Sequence, residues 1–314
     1  RAGLEDLLED ETLQWTAISD QLKDVKKTFG KDYEGCARRT SNEAAFMYQL
    51  FARSFGTNNL PDCSNMCHES SGYGLSKTIG IGKGTVTLDD LHQSDLILIM
   101  GQNPGTNHPR MLSSLEKCKE NGGKIISINP LKEAGLTNFV NPQHLGKMLG
   151  GGTQLTDLYL PVAVNGDVAL LKAIMLRLWH QDRETGGNIL DWDFVTEKTT
   201  GYEEFIEDLR KQDFTSLAEA SGVARASILE AVEMIRKAKS MIICWAMGIT
   251  QHENGVANVQ EIVNLLLMKG AFGRPGSGAC PVRGHSNVHG NRTVGIWEAP
   301  KPAFLDSLAK NFGI

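Results

Sequence analysis

The sequence predicts an α/β protein built on a parallel sheet with helices on both faces. Three observations point there. The runs 95–100, 124–128 and 240–246 are short, almost wholly apolar and bounded by polar residues or glycine, as in strands buried on both faces of a parallel sheet. Stretches with one apolar face at helical spacing separate them. Glycine is abundant, 33 of 314 residues, while aromatics make up 7%, and glycine-rich loops between strands and helices accompany nucleotide-like cofactor sites.

The elements follow in chain order. Residues 1–29 are acidic, then mixed, and place Leu13, Trp15, Ile18, Leu22 and Val25 at helical spacing, which predicts one or two surface helices. Residues 31–39 read as a polar loop. Thr40-Ser41-Asn42-Glu43 has the Thr-to-Glu spacing of a capping box, and a helix is predicted from about 42 to 55, with Gly56 as its left-handed stop. Residues 57–84 are rich in Asn, Ser and Gly and are expected to form a long loop, a length that in compact proteins usually signals function or a covered ligand. Strand 95–100 runs into Gly101-Gln102-Asn103-Pro104-Gly105-Thr106. Pro109 suits the first turn of a helix whose buried face is Met111, Leu112, Leu115 and Cys118. Strand 124–128 then completes a strand-helix-strand unit, and right-handed crossover makes its strands parallel.

Residues 134–156 read as irregular. A short strand at 158–162 has Pro161 at its end. Asp167 is expected to cap a helix from 168 to 179 that turns Leu170, Leu171, Ile174 and Leu178 inward. Helices are predicted near 201–211, 214–221 and 224–238, followed by strand 240–246. A helix from about 254 to 269 carries Val256, Val259, Ile262, Val263 and Leu266 on one face. Residues 270–295 read as a glycine-rich loop, and a last helix covers 303–312.

Composition narrows the function classes. A formal net charge of -5, with 22% charged residues and no long Lys/Arg run, argues against nucleic-acid and membrane-surface binding. No apolar run approaches the ~18 residues that span a bilayer. The six cysteines, Cys36, Cys63, Cys67, Cys118, Cys244 and Cys280, form no CxxC pair. They read as the reduced thiols of a cytoplasmic protein, and their spacing argues against an iron-sulfur cluster held within this chain.

Candidate chemistry concentrates in two places. Cys67-His68 sets a thiol, which is a soft metal ligand or a nucleophile, beside an imidazole suited to moving protons; a buried inert cysteine is the plainer alternative. The loops 101–106, 129–132, 165–167 and 248–252 fall at the carboxyl ends of strands, where open parallel sheets bind ligands. They are built from Gly, Asn, Asp, Thr, Gln and Pro, whose amides and side chains approach phosphates and pair with purine edges or ribose hydroxyls. Ordinary turn chemistry explains any one of them alone. GxGxxG after the first strand and GxxxxGK[ST] are both absent, which argues against an NAD fingerprint and a P-loop. Arg283, in Pro281-Val282-Arg283-Gly284-His285, offers a planar clamp for a carboxylate or a plain surface cation. No HExxH supports a zinc site.

Taken together, these residues resemble a known family. Thr40-Ser41-Asn42-Glu43, Cys67-His68, Met100-Gly101-Gln102-Asn103-Pro104 with His108-Pro109, the stretch 122–130, Gly166-Asp167-Val168-Ala169-Leu170-Leu171, Trp245-Ala246-Met247-Gly248-Ile249-Thr250-Gln251 and Pro281-Val282-Arg283-Gly284 resemble, in order and spacing, the large subunit of molybdopterin-dependent oxidoreductases, in particular formate-dehydrogenase-like alpha subunits. The resemblance implies a Rossmann-like domain at 67–283 that binds molybdopterin guanine dinucleotide, with 1–66 and 284–314 as parts of a second α/β domain. It implies a bis(molybdopterin guanine dinucleotide) cofactor carrying molybdenum, or tungsten in some relatives. Cys67 would be the metal ligand, His68 would assist proton removal, and Arg283 would hold the substrate carboxylate. Gly101, Asn103, Asn129, Gly166, Asp167, Gly248, Thr250, Gln251 and Gly284 would bind the cofactor arms.

The resemblance has departures. The segment that holds a [4Fe-4S] cluster in relatives does not occur here, nor does the domain that completes the cofactor cage, so the chain reads as the middle of a longer protein. Asn129-Pro130-Leu131 stands where formate dehydrogenases usually have Asp-Pro-Arg, and His285 where they commonly have Gln. The expected function is two-electron redox chemistry on a small, carboxylate substrate, with an electron-transfer subunit or carrier as partner. A non-catalytic, degenerate cofactor-binding fragment and a thiol hydrolase using Cys67 are the competing readings.

Overall fold

A computed structural model describes residues 41–313 apart from 55, 61, 144, 286 and 298. The expectations for 1–29 and 31–39, and the Thr40 half of the capping box, lie outside the described residues. Strands β1 (Leu96–Met100), β2 (Lys124–Ile128), β3 (Asn138–Phe139), β4 (Thr153–Gln154), β5 (Leu158–Leu160), β6 (Met241–Trp245) and β7 (Gly278–Pro281) follow one another along the chain. Five of them form one sheet in the order β5-β2-β1-β6-β7, every pairing parallel. The chain leaves β1 through β2 to β5, then returns to β6 on the other side of β1. The strand order therefore reverses between β1 and β6, the switch point where open α/β sheets place ligands.

The sheet is apolar on both faces, as its unbroken runs require. Leu96, Leu98, Met100, Ile126, Ile128, Ile243 and Trp245 face a large core completed by Asp167–Glu184, Arg225–Lys237 and Gly255–Met268. Ile97, Ile99, Ile125, Ile242 and Cys244 face a smaller core with Leu112, Leu115 and Cys118 from Pro109–Glu120. Helices thus cover both faces, and Pro109 stands at the first turn where its missing N–H costs nothing.

Backbone packing divides the chain into two compact units: Ser64–Gly284, which holds the whole sheet, and Arg1–Cys63 with His285–Ile314. In the second unit, the helices Asn42–Ser54, Val288–Thr293 and Pro302–Phe312 accompany a small core of Ala45, Leu60 and Ile296. Arg53 donates to Gly295 O (2.9 Å) and ties its two chain segments together.

Four expectations need correction. Residues 57–84 are not one long loop: Ser64–Cys67 and Glu69–Ile79 are helical. Gly72 and Gly74 hid this, since glycine is a poor helix former. Gly74 is needed there, because a Cβ would meet Val259 Cγ1 at 2.9 Å where Glu69–Ile79 packs on Gly255–Met268. Within the glycine-rich stretch 270–295, Gly278–Pro281 pairs with β6 as the edge strand β7. Gly278 sits at φ +143, and a Cβ there would collide with Thr85 Oγ1, so tertiary contact and not propensity makes this strand. The span 134–156 contains short helices and the antiparallel pair β3–β4. Asp167 is the first residue of its helix and not its cap; Gly166 holds the cap position.

At Asn42–Ser54 the helix matches its expected span, and the Ser41 hydroxyl accepts from Ala44 N (3.3 Å). A serine hydroxyl is a favoured acceptor at this position.

Candidate cofactor and active site

Cys67 ends the helix Ser64–Cys67 and is partly exposed. The turn after β6 grips its backbone. Thr250 Oγ1 donates to Cys67 O (2.5 Å), and Gln251 Nε2 donates to Met66 O (2.8 Å). Ser70 Oγ donates in return to Thr250 O (3.0 Å). These bonds hold the Cys67 segment at the carboxyl edge of the sheet, beside the switch point.

His68 is completely buried. Its Nε2 lies 3.0 Å from Val282 O, and its Nδ1 lies 2.8 Å from Ser71 Oγ. Since a carbonyl only accepts, Nε2 carries the ring proton, and Nδ1 accepts from the Ser71 hydroxyl. Trp245 Nε1 donates to that same hydroxyl (2.9 Å). Both ring nitrogens therefore have partners within the fold.

Arg283 lies two residues beyond the end of β7. It is half-buried, and its Nη2 donates to Gly82 O (3.3 Å). Its own carbonyl accepts from His108 Nε2 (3.0 Å), while His108 Nδ1 accepts from Gln102 Nε2 (3.3 Å). Burial lowers the His108 pKa, and the bond to Arg283 O opposes that. Cys67, His68, Thr250, Gln251 and Arg283 are thus joined through one hydrogen-bonded neighbourhood.

Two glycine pairs hold the loop after β1 between its neighbours. Gly101 lies at φ +55, and Gly248 N donates to Gly101 O (3.0 Å). A Cβ on Gly101 would meet the Gly248 carbonyl carbon at 2.7 Å, so the β1 and β6 loops touch through bare backbone. Gly105 meets Gly135 in the same way, a Cβ on Gly105 lying 2.9 Å from Gly135 Cα. The loop's polar residues are partly used within it. Asn103 caps Thr106 N (3.2 Å) and donates to Glu133 Oε2 (2.6 Å). Asn129 exchanges two bonds with the Gln102 backbone (3.0 and 3.1 Å), so its amide braces a loop. Gln102 Oε1, in contrast, is buried without a hydrogen-bond partner.

Gly166 and Asp167 lie at the start of Asp167–Glu184, beyond β5. Burial pushes the Asp167 carboxyl up to about 6, against the charge of His252 from the β6 turn. Gly284 is exposed at the end of this unit. Sequence reasoning does not single out Gln102, His108, Ser71 or Trp245 as site residues. His108 and Gln102 fall inside the quoted motifs, but only the fold shows what they touch.

Comparison with known proteins gives the family. The molybdopterin oxidoreductase family model matches residues 15–295. An uncharacterized oxidoreductase of Mycobacterium bovis is 49% identical over 276 residues, which cover 88% of this chain and 35% of that protein. Formate dehydrogenase H of Escherichia coli is 30% identical over 323 residues, covering 99% of this chain and 42% of the enzyme. Among solved structures, acetylene hydratase from Pelobacter acetylenicus shares the fold, with a TM-score of 0.58 at 18% identity over 77% of this chain and 29% of its own. The chain belongs to the molybdopterin oxidoreductase family. Membership implies a molybdenum or tungsten molybdopterin cofactor. The chain spans only 35% and 42% of these two curated relatives. Among the described residues no helix is long and apolar enough to cross a membrane.

Proposed function

We propose that this chain is the core of a molybdopterin-dependent oxidoreductase acting on a small carboxylate, as in formate dehydrogenase. The supporting observation is the grip of Thr250 and Gln251, from the turn after β6, on the backbone carbonyls of Cys67 and Met66; the soft thiol belongs to a segment tied to the carboxyl edge of the sheet. When bound, the cofactor metal supplies the two-electron exchange.

The chain's own residues do the rest. Cys67 ligates the metal. Gly101, Asn103, Asn129, Gly166, Asp167, Gly248, Thr250, Gln251 and Gly284 line the arms of a bis(molybdopterin guanine dinucleotide). The loops suit such a ligand: the Gly101–Gly248 contact removes side chains from the switch point, and the buried Gln102 Oε1 is left to accept a donor. Within that set, Asn129 serves as a brace for the loop. Arg283 holds the substrate carboxylate by paired N–H donors. His68, whose two ring nitrogens both have partners in the fold, is read here as a holding residue. A [4Fe-4S] centre would have to be supplied by a segment outside this sequence, an electron-transfer subunit or carrier would take up the electrons, and the cytoplasm suits its thiols.

Steady-state oxidation of formate and other small carboxylates by the full-length holoprotein, with an artificial electron acceptor, tests this. Arg283→Ala is expected to lower kcat/KM by about tenfold or more, the loss of a charge-assisted hydrogen bond. Turnover that is indifferent to Arg283, or confined to substrates without a carboxylate, would remove the carboxylate clamp.

A further inference from the structure

Two histidines from separate elements hold consecutive carbonyls next to Arg283. His68 donates through Nε2 to Val282 O (3.0 Å), and His108 donates through Nε2 to Arg283 O (3.0 Å). Each Nδ1 has a partner behind it. The Ser71 hydroxyl serves His68 at 2.8 Å, and Gln102 Nε2 serves His108 at 3.3 Å. A third anchor is the Val282 N–H, which donates to Trp245 O (2.8 Å) and continues the β6–β7 ladder. The peptide that carries Arg283 is thus pinned from the β1 loop, from β6 and from the Cys67 segment.

We infer that His68 and His108 are a pair of positioning residues whose Nε2–H groups clamp the Val282 and Arg283 carbonyls and so aim the Arg283 guanidinium. This role rests on the reading of Arg283 as the carboxylate clamp. The physical need is clear. An arginine side chain has a large rotamer entropy to lose on ordering, and a backbone fixed beforehand narrows the search for the productive geometry. Neither histidine touches the substrate in this scheme. The two bonds bring the motifs around Cys67 and His108-Pro109 to bear on one arginine far along the chain.

Phenylglyoxal labelling of Arg283 in the full-length holoprotein, followed by peptide mass spectrometry, tests the clamp. His108→Ala is expected to change the labelling rate at Arg283 by about fivefold, the equivalent of one net hydrogen bond. His108→Gln, whose amide N–H extends toward the Nε2 position, is expected to return the rate to within about twofold of the parent. A ring that served only as packing would leave Gln as poor as Ala, and that result overturns the inference. So does a labelling rate in His108→Ala that stays within about twofold of the parent. Should His108→Ala fail to fold, His108→Asn, whose amide stops short of the carbonyl, takes its place and must behave as Ala would.

Formate, as the carboxylate probe, is added in a parallel arm. Protection of Arg283 by formate in the parent protein supports the carboxylate reading. Absence of protection alongside the expected His108 series leaves the clamp standing and rejects that reading.

Discussion

Burial at the first turn of Asp167–Glu184 changes what the Asp167 carboxyl does. In the unfolded chain it titrates near its ordinary 3.8, and in the fold near 6. The raised value means that the folded protein holds this proton more tightly. Below pH about 4 the stabilisation is fully present, and it is lost as pH rises through about 6, for a total of about 3 kcal/mol. Asp167→Asn cannot ionise, so its stability should gain on the parent by about that amount between pH about 4 and about 7. Urea-unfolding midpoints of the two proteins across this range give the answer, and parallel curves would refute it. The motif Gly166-Asp167 was legible in the sequence, but the titration was not, because burial depends on what the fold places around it. His68 teaches the same lesson. The neighbouring thiol points to proton transfer, but the partners that hold the ring, Val282 O and the Ser71 hydroxyl, 214 and 3 residues away, are supplied by the fold.

Elements were legible where their own residues carry the signal. The unbroken apolar runs of β1, β2 and β6 and the faces of Pro109–Glu120 and Gly255–Met268 could be read directly. Elements that exist by contact could not. Glu69–Ile79 is a helix through its packing on Gly255–Met268 despite two glycines, and β7 is a strand because β6 and the segment at Thr85 flank it. At the same scale, the Gly101–Gly248 contact sets the spacing of the loops after β1 and β6. Gly101→Ala must push the two backbones away from each other and adopt φ +55, so a loss of about 2–4 kcal/mol is expected. Thermal unfolding measures it. Gly146→Ala, in a helix with open space around its Cβ, is the control expected to leave stability unchanged or slightly raised. Equal effects at the two positions would contradict the contact argument.

At the scale of the whole molecule, one topological fact organises the site. Strand order reverses between β1 and β6, and the residues proposed for metal, cofactor and substrate come from loops and segments at the carboxyl edge of this sheet. Family membership gives the cofactor class, while the substrate and the guanine dinucleotide form stay with the proposal. The most direct test of the central claim is a metal and pterin assay on full-length protein, made anaerobically in a molybdenum-competent host. Molybdenum or tungsten together with pterin in the parent protein, and a sharply lower metal content in Cys67→Ala, is the predicted result. Parent protein that carries neither metal nor pterin, or a Cys67→Ala variant whose metal remains undiminished and unaltered in its spectrum, would contradict it.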